Sequence, residues 1–476
     1  MKNYFFVISI LLFQISLYAQ DYNSEIVNEI NKILEDEYFE STSFSVSIFD
    51  LTDNKNLYEK NQKLLLHPAS NMKVLTSAAG LEYLGADYTF NTSVHHTGII
   101  MDSVCYGDIF ISGGFDPDFT SKDLDTLVFA LKEFGINEIR GNVYGDISNM
   151  DSLFWGNGWM WDDDPSSDFP YMTPLIINDA CIEIAYEPGL IGKPVHFNLI
   201  PQTDFFDITN TAITTKEDTS DFEITRDWLH RGNEIFIKGD LSYRSRPDTV
   251  KINIVNPEYY FLFLLKEKLE ANSVKFLGRL DTLTLPEYSK IIYEKKRKYA
   301  DIIDNLNKES DNLSAEMTLR ALALKNFGKP ASAENGIDMI DSLIRKTNLN
   351  YKNYKMVDGS GISHYNLVSS ELLVEVLKYM FFKSPQNYEM LKNSFPIAGI
   401  DGTLENRMKK SKAYRNVRAK TGTLSGVSTL SGYLKSANNH DIAFSIFFQN
   451  FKGSARVARN YQDRICKFLS DMKIRN

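Results

Sequence analysis

The chain has 476 residues, 43% hydrophobic and 24% charged, with a formal net charge of −10. That balance is ordinary for a globular protein with a sizeable core and excludes global disorder. The acidic excess argues against a nucleic-acid binder, which carries a basic stripe or patch.

The N-terminus reads as an export signal. Lys2 gives a positive start, Phe5 to Leu17 is mostly apolar, and Ala19 is a small residue before Gln20-Asp21. The apolar run is short and interrupted for a membrane anchor, and no Cys near its end offers a lipid attachment point. No later segment reaches transmembrane length. Cys105, Cys181 and Cys466 are odd in number, so they cannot all pair within the chain. Buried free thiols are the expectation.

Ile26, Val27, Ile30, Ile33 and Leu34 recur at helical spacing within an expected amphipathic helix over 21–34. The alternation of Ser43 to Phe49 predicts a strand, Thr52-Asp53-Asn54 a turn, and Leu57-Tyr58 the start of a return strand. A helix is expected to open at Ser70, with Val74, Leu75, Ala78, Leu81 and Leu84 on its apolar side. From about residue 90 to 295 the texture changes to short strand candidates, turns and aromatic clusters. Lys295 to Lys298 is a basic run that reads as solvated surface. Helical stretches are expected over Tyr299 to Asn307 and Leu313 to Met317. Strands are expected over Tyr414 to Thr423, Val427 to Leu434 and Ile442 to Phe448, with a hairpin turn at 437–441. A last helix carries Val457, Tyr461, Ile465, Phe468 and Met472 and should pack on the preceding sheet.

Three motifs carry chemistry: Ser70-Asn71-Met72-Lys73, Ser310-Asp311-Asn312 and Lys420-Thr421-Gly422. Alone, each reads as a helix cap, a loop or an edge strand. Together they supply the parts of an acyl-transfer site. A serine hydroxyl needs a base, and Lys73 lies three residues on, along the same helix face. A lysine serves as base when burial or a neighbouring cation such as Lys420 lowers its proton affinity. Ser310 can relay a proton, and Asn312 can hold a substrate amide. Gly422 lets another backbone approach the strand. Lys420, Thr421 and Thr423 can bind a terminal carboxylate, while the Ser70 and Thr423 N–H groups make a natural oxyanion pair. The histidines show no spaced cluster for a metal and no triad motif, so no metal or cofactor is expected.

Further runs sharpen the picture: Pro68-Ala69 before Ser70, Gly113-Gly114-Phe115-Asp116-Pro117, Gly158-Trp159-Met160-Trp161-Asp162-Asp163, Asp358-Gly359-Ser360-Gly361-Ile362-Ser363, and Ala398-Gly399-Ile400-Asp401-Gly402-Thr403-Leu404 with Arg407. In this order the set resembles the D-alanyl-D-alanine carboxypeptidase/endopeptidase family of class C-type low-molecular-weight penicillin-binding proteins. Ile362 departs mildly from the usual Leu. The resemblance implies an α+β fold: a penicillin-recognising serine transpeptidase-like core, with an antiparallel sheet flanked by helices, over 20–90 and 296–476. It implies a strand-rich insertion over 91–295, forming two subdomains (about 91–170 with 245–295, and 171–244).

By family role, Ser70 is acylated, Lys73 is the base, and Ser310 and Lys420 return the proton to the leaving D-alanine. Asn312 binds the donor peptide, Thr421, Gly422 and Thr423 bind its end, and Asp162 lies near a substrate amine. The expected activity is a D-Ala-D-Ala carboxypeptidase or D,D-endopeptidase in the periplasm, acting on peptidoglycan peptides and captured by β-lactams. A β-lactamase-like hydrolase needs a deacylating glutamate, and 335–370 contains none, although Glu334 lies just before it. A non-catalytic envelope protein would be expected to have lost Ser70, Lys73 or Lys420, and all three are present.

Overall fold

The computed structural model describes residues 24–217 and 221–474. The export-signal expectation, on residues 1–19, lies outside them. Among the described residues no helix is long and apolar enough to cross a membrane. The chain forms two compact units. One holds the described residues up to Ala86, Ile303–Asp311 and those from Ile337 onward; the other holds Asp87–Ile302 and Asn312–Gly336.

The first unit is built on a five-stranded antiparallel sheet. Its spatial order is Lys55–Lys60, Ser43–Asp50, Asp441–Gln449, Val427–Lys435, Arg418–Leu424. The start of the chain therefore pairs with its end, with Ser43 opposite Gln449. The hairpin closes where Asp50 Oδ1 accepts the N–H groups of Thr52 and Asp53 at 2.9 and 3.2 Å, an Asx-type turn. Asp441–Gln449 and Val427–Lys435 are buried along nearly their whole length because helices cover both faces. On one face the helix Ala455–Asp471 and the helix over 24–34 pack Ile465, Leu469, Ile26 and Ile30 against Phe444, Ile446 and Phe448. Gln462 Nε2 also donates to Ser428 Oγ at 3.2 Å. On the other face lies the helix Ser370–Lys383, fixed by Tyr433 Oη donating to the Leu377 carbonyl at 2.9 Å and by the Ser45–Ser370 hydroxyl pair at 2.6 Å. The last strand begins at Arg418 rather than at Tyr414, because 411–417 is taken up by turns.

The second unit is rich in short strands. Its five-stranded sheet runs Leu280–Thr282, Val143–Asp146, Ile109–Ser112, Thr89–His96, Lys290–Lys298. The strand that enters this region pairs antiparallel with the strand that leaves it, Thr89 opposite Lys298, so the two ends of the segment lie side by side. The basic run is consumed by ion pairs. Lys295 meets Asp123 at 2.7 Å, Arg297 meets Asp116 at 2.8 Å and Lys298 meets Asp87 at 2.7 Å. Asp116 belongs to the Gly-Gly-Phe-Asp-Pro run, which accounts for an acid there. The unit also holds two three-stranded sheets, His196–Ile200 with Cys181–Glu187 and Asp248–Asn253, and Ile208–Asn210 with Ile235–Lys238 and Glu223–Arg226, a four-stranded sheet of Lys275–Phe276, Glu138–Ile139, Val104–Tyr106 and Ile99–Met101, and the helices Ser121–Glu133 and Pro257–Ala271. Cys105, Cys181 and Cys466 are buried and form no disulfide.

Candidate active site

Ser70 sits in a single 3₁₀ turn, Ala69–Asn71, that feeds the α-helix Met72–Ala79. The α-helix thus begins two residues later than its sequence signal. Ala69 adopts φ +46°, a left-handed conformation that is unfavourable for an L-residue with a Cβ. The surroundings hold it there. A Cβ at Gly361 would come within 1.9 Å of the Ala69 carbonyl, so the Asp-Gly-Ser-Gly loop packs backbone to backbone against the nucleophile turn. Asn71, buried, donates to the Lys420 carbonyl at 3.1 Å and to Thr429 Oγ1 at 2.7 Å. Thr429 in turn donates to the Pro68 carbonyl at 2.7 Å. These two side chains bolt the turn to the strands Arg418–Leu424 and Val427–Lys435.

Lys73 is fully buried. Its Nζ lies 3.2 Å from Ser70 Oγ and donates to the Ser360 carbonyl at 2.9 Å. That carbonyl is aimed by the Asp358 carboxylate, which accepts from the Gly361 and Ser363 N–H groups at 2.8 Å each and from Asn366 Nδ2 at 2.7 Å. Thr76 Oγ1 donates to the Gly359 carbonyl at 2.7 Å. The loop therefore holds the carbonyl that receives the Lys73 ammonium and fixes where Nζ lies.

Lys420 is also fully buried, and its Nζ donates to Ser310 Oγ at 2.8 Å and to the Thr421 carbonyl at 3.0 Å. Burial, and then the nearby Lys73 cation, hold its proton affinity well below the usual lysine range. Ser310 has φ +64° and closes the π-helical turn Asn305–Glu309. The Ile-Asp-Gly-Thr run supports that turn. Lys308 pairs with Asp401 at 3.0 Å, and a Cβ at Gly402 would fall 2.5 Å from the Lys308 carbonyl.

On the edge strand, a Cβ at Gly422 would lie 2.2 Å from Thr429 Oγ1 and 2.9 Å from the Ser70 nitrogen. Only glycine lets this strand pass so close to the nucleophile. Thr421 Oγ1 pairs with Thr403 Oγ1 at 2.7 Å, and Thr423 Oγ1 accepts from Arg459 Nη2 at 3.1 Å.

Ser70, Lys73, Ser310, Lys420, Thr421, Gly422 and Thr423 thus come together in the first unit. Asn312 and Asp162 belong to the second. Asn312 opens the helix Asn312–Phe327 and donates to the Asp168 carbonyl at 2.7 Å, while Asp162 is exposed in the turn Trp161–Asp163. Sequence reasoning missed Asn71, Thr429, Thr403 and the Ser360 carbonyl. Thr429 gives no motif signal, Asn71 stands at a variable position of the first motif, and Thr403 and Ser360 lie in runs that carry no stated task in the sequence. Asp50, Asp53 and His440 are grouped closely enough to hold an ion. Asp50 Oδ1 already closes the first turn, Asp53 Oδ2 accepts from Lys55 Nζ at 2.9 Å, and His440 Nδ1 lies 2.9 Å from Asp50 Oδ2, so the group reads as a latch between two hairpins.

Residues 26–472 match the sequence model of the D-Ala-D-Ala carboxypeptidase 3 (S13) family. The D-alanyl-D-alanine carboxypeptidase of Actinomadura sp. is 28% identical over 463 residues, covering 94% of this chain and 85% of the relative. The crystal structure of penicillin binding protein 4 from Haemophilus influenzae has a TM-score of 0.81 at 24% identity, covering 93% of this chain and 98% of that one. A second structure of that protein, complexed with a β-lactam, has a TM-score of 0.76 at 24% identity, covering 92% and 97%. These likenesses show the fold, an α+β penicillin-recognising core with additional strand-rich structure.

Proposed function

The chain belongs to the D-Ala-D-Ala carboxypeptidase 3 (S13) family and is a serine D-Ala-D-Ala peptidase, and on that premise we propose that Ser70 is the residue it acylates. The observation that carries this reading is the pair of buried lysines, each hydrogen-bonded to a serine: Lys73 to Ser70 and Lys420 to Ser310. Two cations in one dry site disfavour each other's charge, so one amine is free to act as a base.

In the proposed reaction, neutral Lys73 takes the Ser70 proton as Oγ attacks the carbonyl of the penultimate D-alanine. The oxyanion develops toward the Ser70 and Thr423 N–H groups. The proton that Lys73 took then passes through Ser310, which Lys420 holds in place, to the departing amine; D-alanine leaves and Lys73 is neutral again. Water, activated by the same base, cleaves the ester and restores Ser70. Thr421 and Thr423 take the terminal carboxylate, Gly422 admits the peptide along the strand, Asn312 holds the donor amide, and Asp162 faces a substrate amine. The same acyl-enzyme serves a D,D-endopeptidase that cuts cross-links between peptidoglycan stem peptides, and a β-lactam would stop at the ester.

We read 20–90 with 296–476 as the catalytic core and 91–295 as its two-part insertion. The leader-like residues Lys2 to Ala19 support delivery to the periplasm, where such peptides lie. The test is mass spectrometry after exposure to a penicillin, together with D-alanine release from an acyl-D-Ala-D-Ala peptide. A single adduct on the Ser70 peptide and release lost in Ser70→Ala are expected. Full release by Ser70→Ala would end the proposal.

A further inference from the structure

We infer that Arg459, on the C-terminal helix, reads the substrate's terminal carboxylate together with Thr423 and so sets the enzyme's demand for a free C-terminal acid. This inference rests on the reading of Thr421 and Thr423 as the carboxylate-binding residues and adds to it a cation from a different element.

The geometry starts with a neighbouring ion pair. Arg407 reaches the same helix and grips Asp463, with Nε and Nη2 at 3.0 and 2.7 Å from Oδ1, and its Nη2 also bonds Gln462 Oε1 at 3.0 Å. Asp463 is one helical turn from Arg459 and would be its natural i, i+4 partner. Arg407 has taken it, and Arg407 Nη2 further caps the Arg459 carbonyl at 3.4 Å. Arg459 is left with one side-chain bond among the described residues, from Nη2 to Thr423 Oγ1. A guanidinium offers five N–H donors in a planar fork that matches a carboxylate, and no carboxylate lies within ion-pair distance of this one among the described residues. Burial and the Arg407 cation both lower its proton affinity, with Asp463 opposing. A guanidinium stays charged even so, and an incoming anion would relieve that environment.

The bond to Thr423 also fixes a direction. Because Thr423 Oγ accepts from Arg459, its own O–H is free to donate elsewhere, and an acceptor-only carboxylate is the partner that suits both groups. The Thr421 hydroxyl on the same strand donates to Thr403 Oγ1 at 2.7 Å and would have to turn from it to meet an incoming carboxylate.

The test compares hydrolysis of an acyl-D-Ala-D-Ala peptide with that of its C-terminal carboxamide by the wild type, Arg459→Ala and Arg459→Lys. In Arg459→Ala, kcat/KM for the acid should fall about 10- to 100-fold, while the amide changes less than about threefold. Arg459→Lys, a point charge without the fork, should recover part of the acid-to-amide preference. Melting curves identify any variant that fails to fold, in which case the lysine variant carries the comparison. An acid-to-amide ratio unchanged in folded Arg459→Ala, with Ser70→Ala inactive, overturns the inference and leaves the peptidase reading intact. A wild type that releases neither D-alanine from the acid nor D-alaninamide from the amide overturns both.

Discussion

Lys420 Nζ lies 2.8 Å from Ser310 Oγ inside a site where both lysines are fully buried. In the proposed reaction this contact holds Ser310 as the proton conduit. Ser310→Ala should cut the rate of D-alanine release by about 10²- to 10³-fold, with a smaller effect on β-lactam acylation, whose strained ring needs less help for its leaving nitrogen. Stopped-flow acylation measured beside peptide turnover would check this, and equal losses in both would remove the relay role.

The same burial gives Lys420 a pH signature. Its proton affinity in the folded chain is held well below the ordinary 10.5. The unfolded chain therefore binds the proton more tightly, and stability at this site rises with pH up to about 10.5. Lys420→Met removes the ionisable group. The variant should melt higher relative to the parent near pH 6 than near pH 9, with the gap closing as pH increases. A gap that is flat with pH would mean that Lys420 titrates as in water.

Asp358 aims the Ser360 carbonyl at Lys73 through three accepted bonds. Asp358→Ala would leave two loop N–H groups without their acceptor and should cost about 2–4 kcal/mol of stability. Activity should fall further than stability explains, because the base loses its orientation. Chemical denaturation and penicillin acylation on one preparation separate the two effects. Normal acylation in the destabilised variant would reduce the loop to scaffolding.

Gly422→Ala places a methyl group 2.2 Å from Thr429 Oγ1. The edge strand must shift, and with it the N–H of Thr423. Acylation should slow by at least about tenfold, with a modest change in melting temperature. Removing the clashing oxygen with Thr429→Ala would not restore activity, because the new methyl group would still sit 2.9 Å from the Ser70 nitrogen. Wild-type kinetics in Gly422→Ala would sink the close-approach argument.

What the sequence made legible follows from which signals are local. The strand at 43–49 and the closing hairpin at 437–441 were readable because alternation and turn residues act over a few positions. They stand as Ser43–Asp50 and as the connection from Val427–Lys435 to Asp441–Gln449. The last helix was readable from its spacing and does pack on the sheet. The left-handed Ala69, the π-turns at Gly80–Leu84 and Asn305–Glu309, and the bolt formed by Asn71 and Thr429 were not readable. Ala69 is held by Gly361, the turn at Asn305–Glu309 by Asp401 and Gly402, and Asn71 by Thr429, all far along the chain, and no window of neighbours carries that information. Arg407 was visible only as the tail of a motif. Its task appears once Asp463 is folded beside it.

The pairing of Ser43–Asp50 with Asp441–Gln449 has a consequence for how this enzyme comes into being. Its second strand finds its neighbour only when the last tenth of the chain exists, and Lys420 reaches Ser310 only then. An incomplete chain carries Ser70 and Lys73 before it has the sheet or the second lysine. Such long-range closure is slow to form, and a chain truncated before residue 441, lacking the strand that Ser43–Asp50 pairs with, should form no penicillin adduct on Ser70.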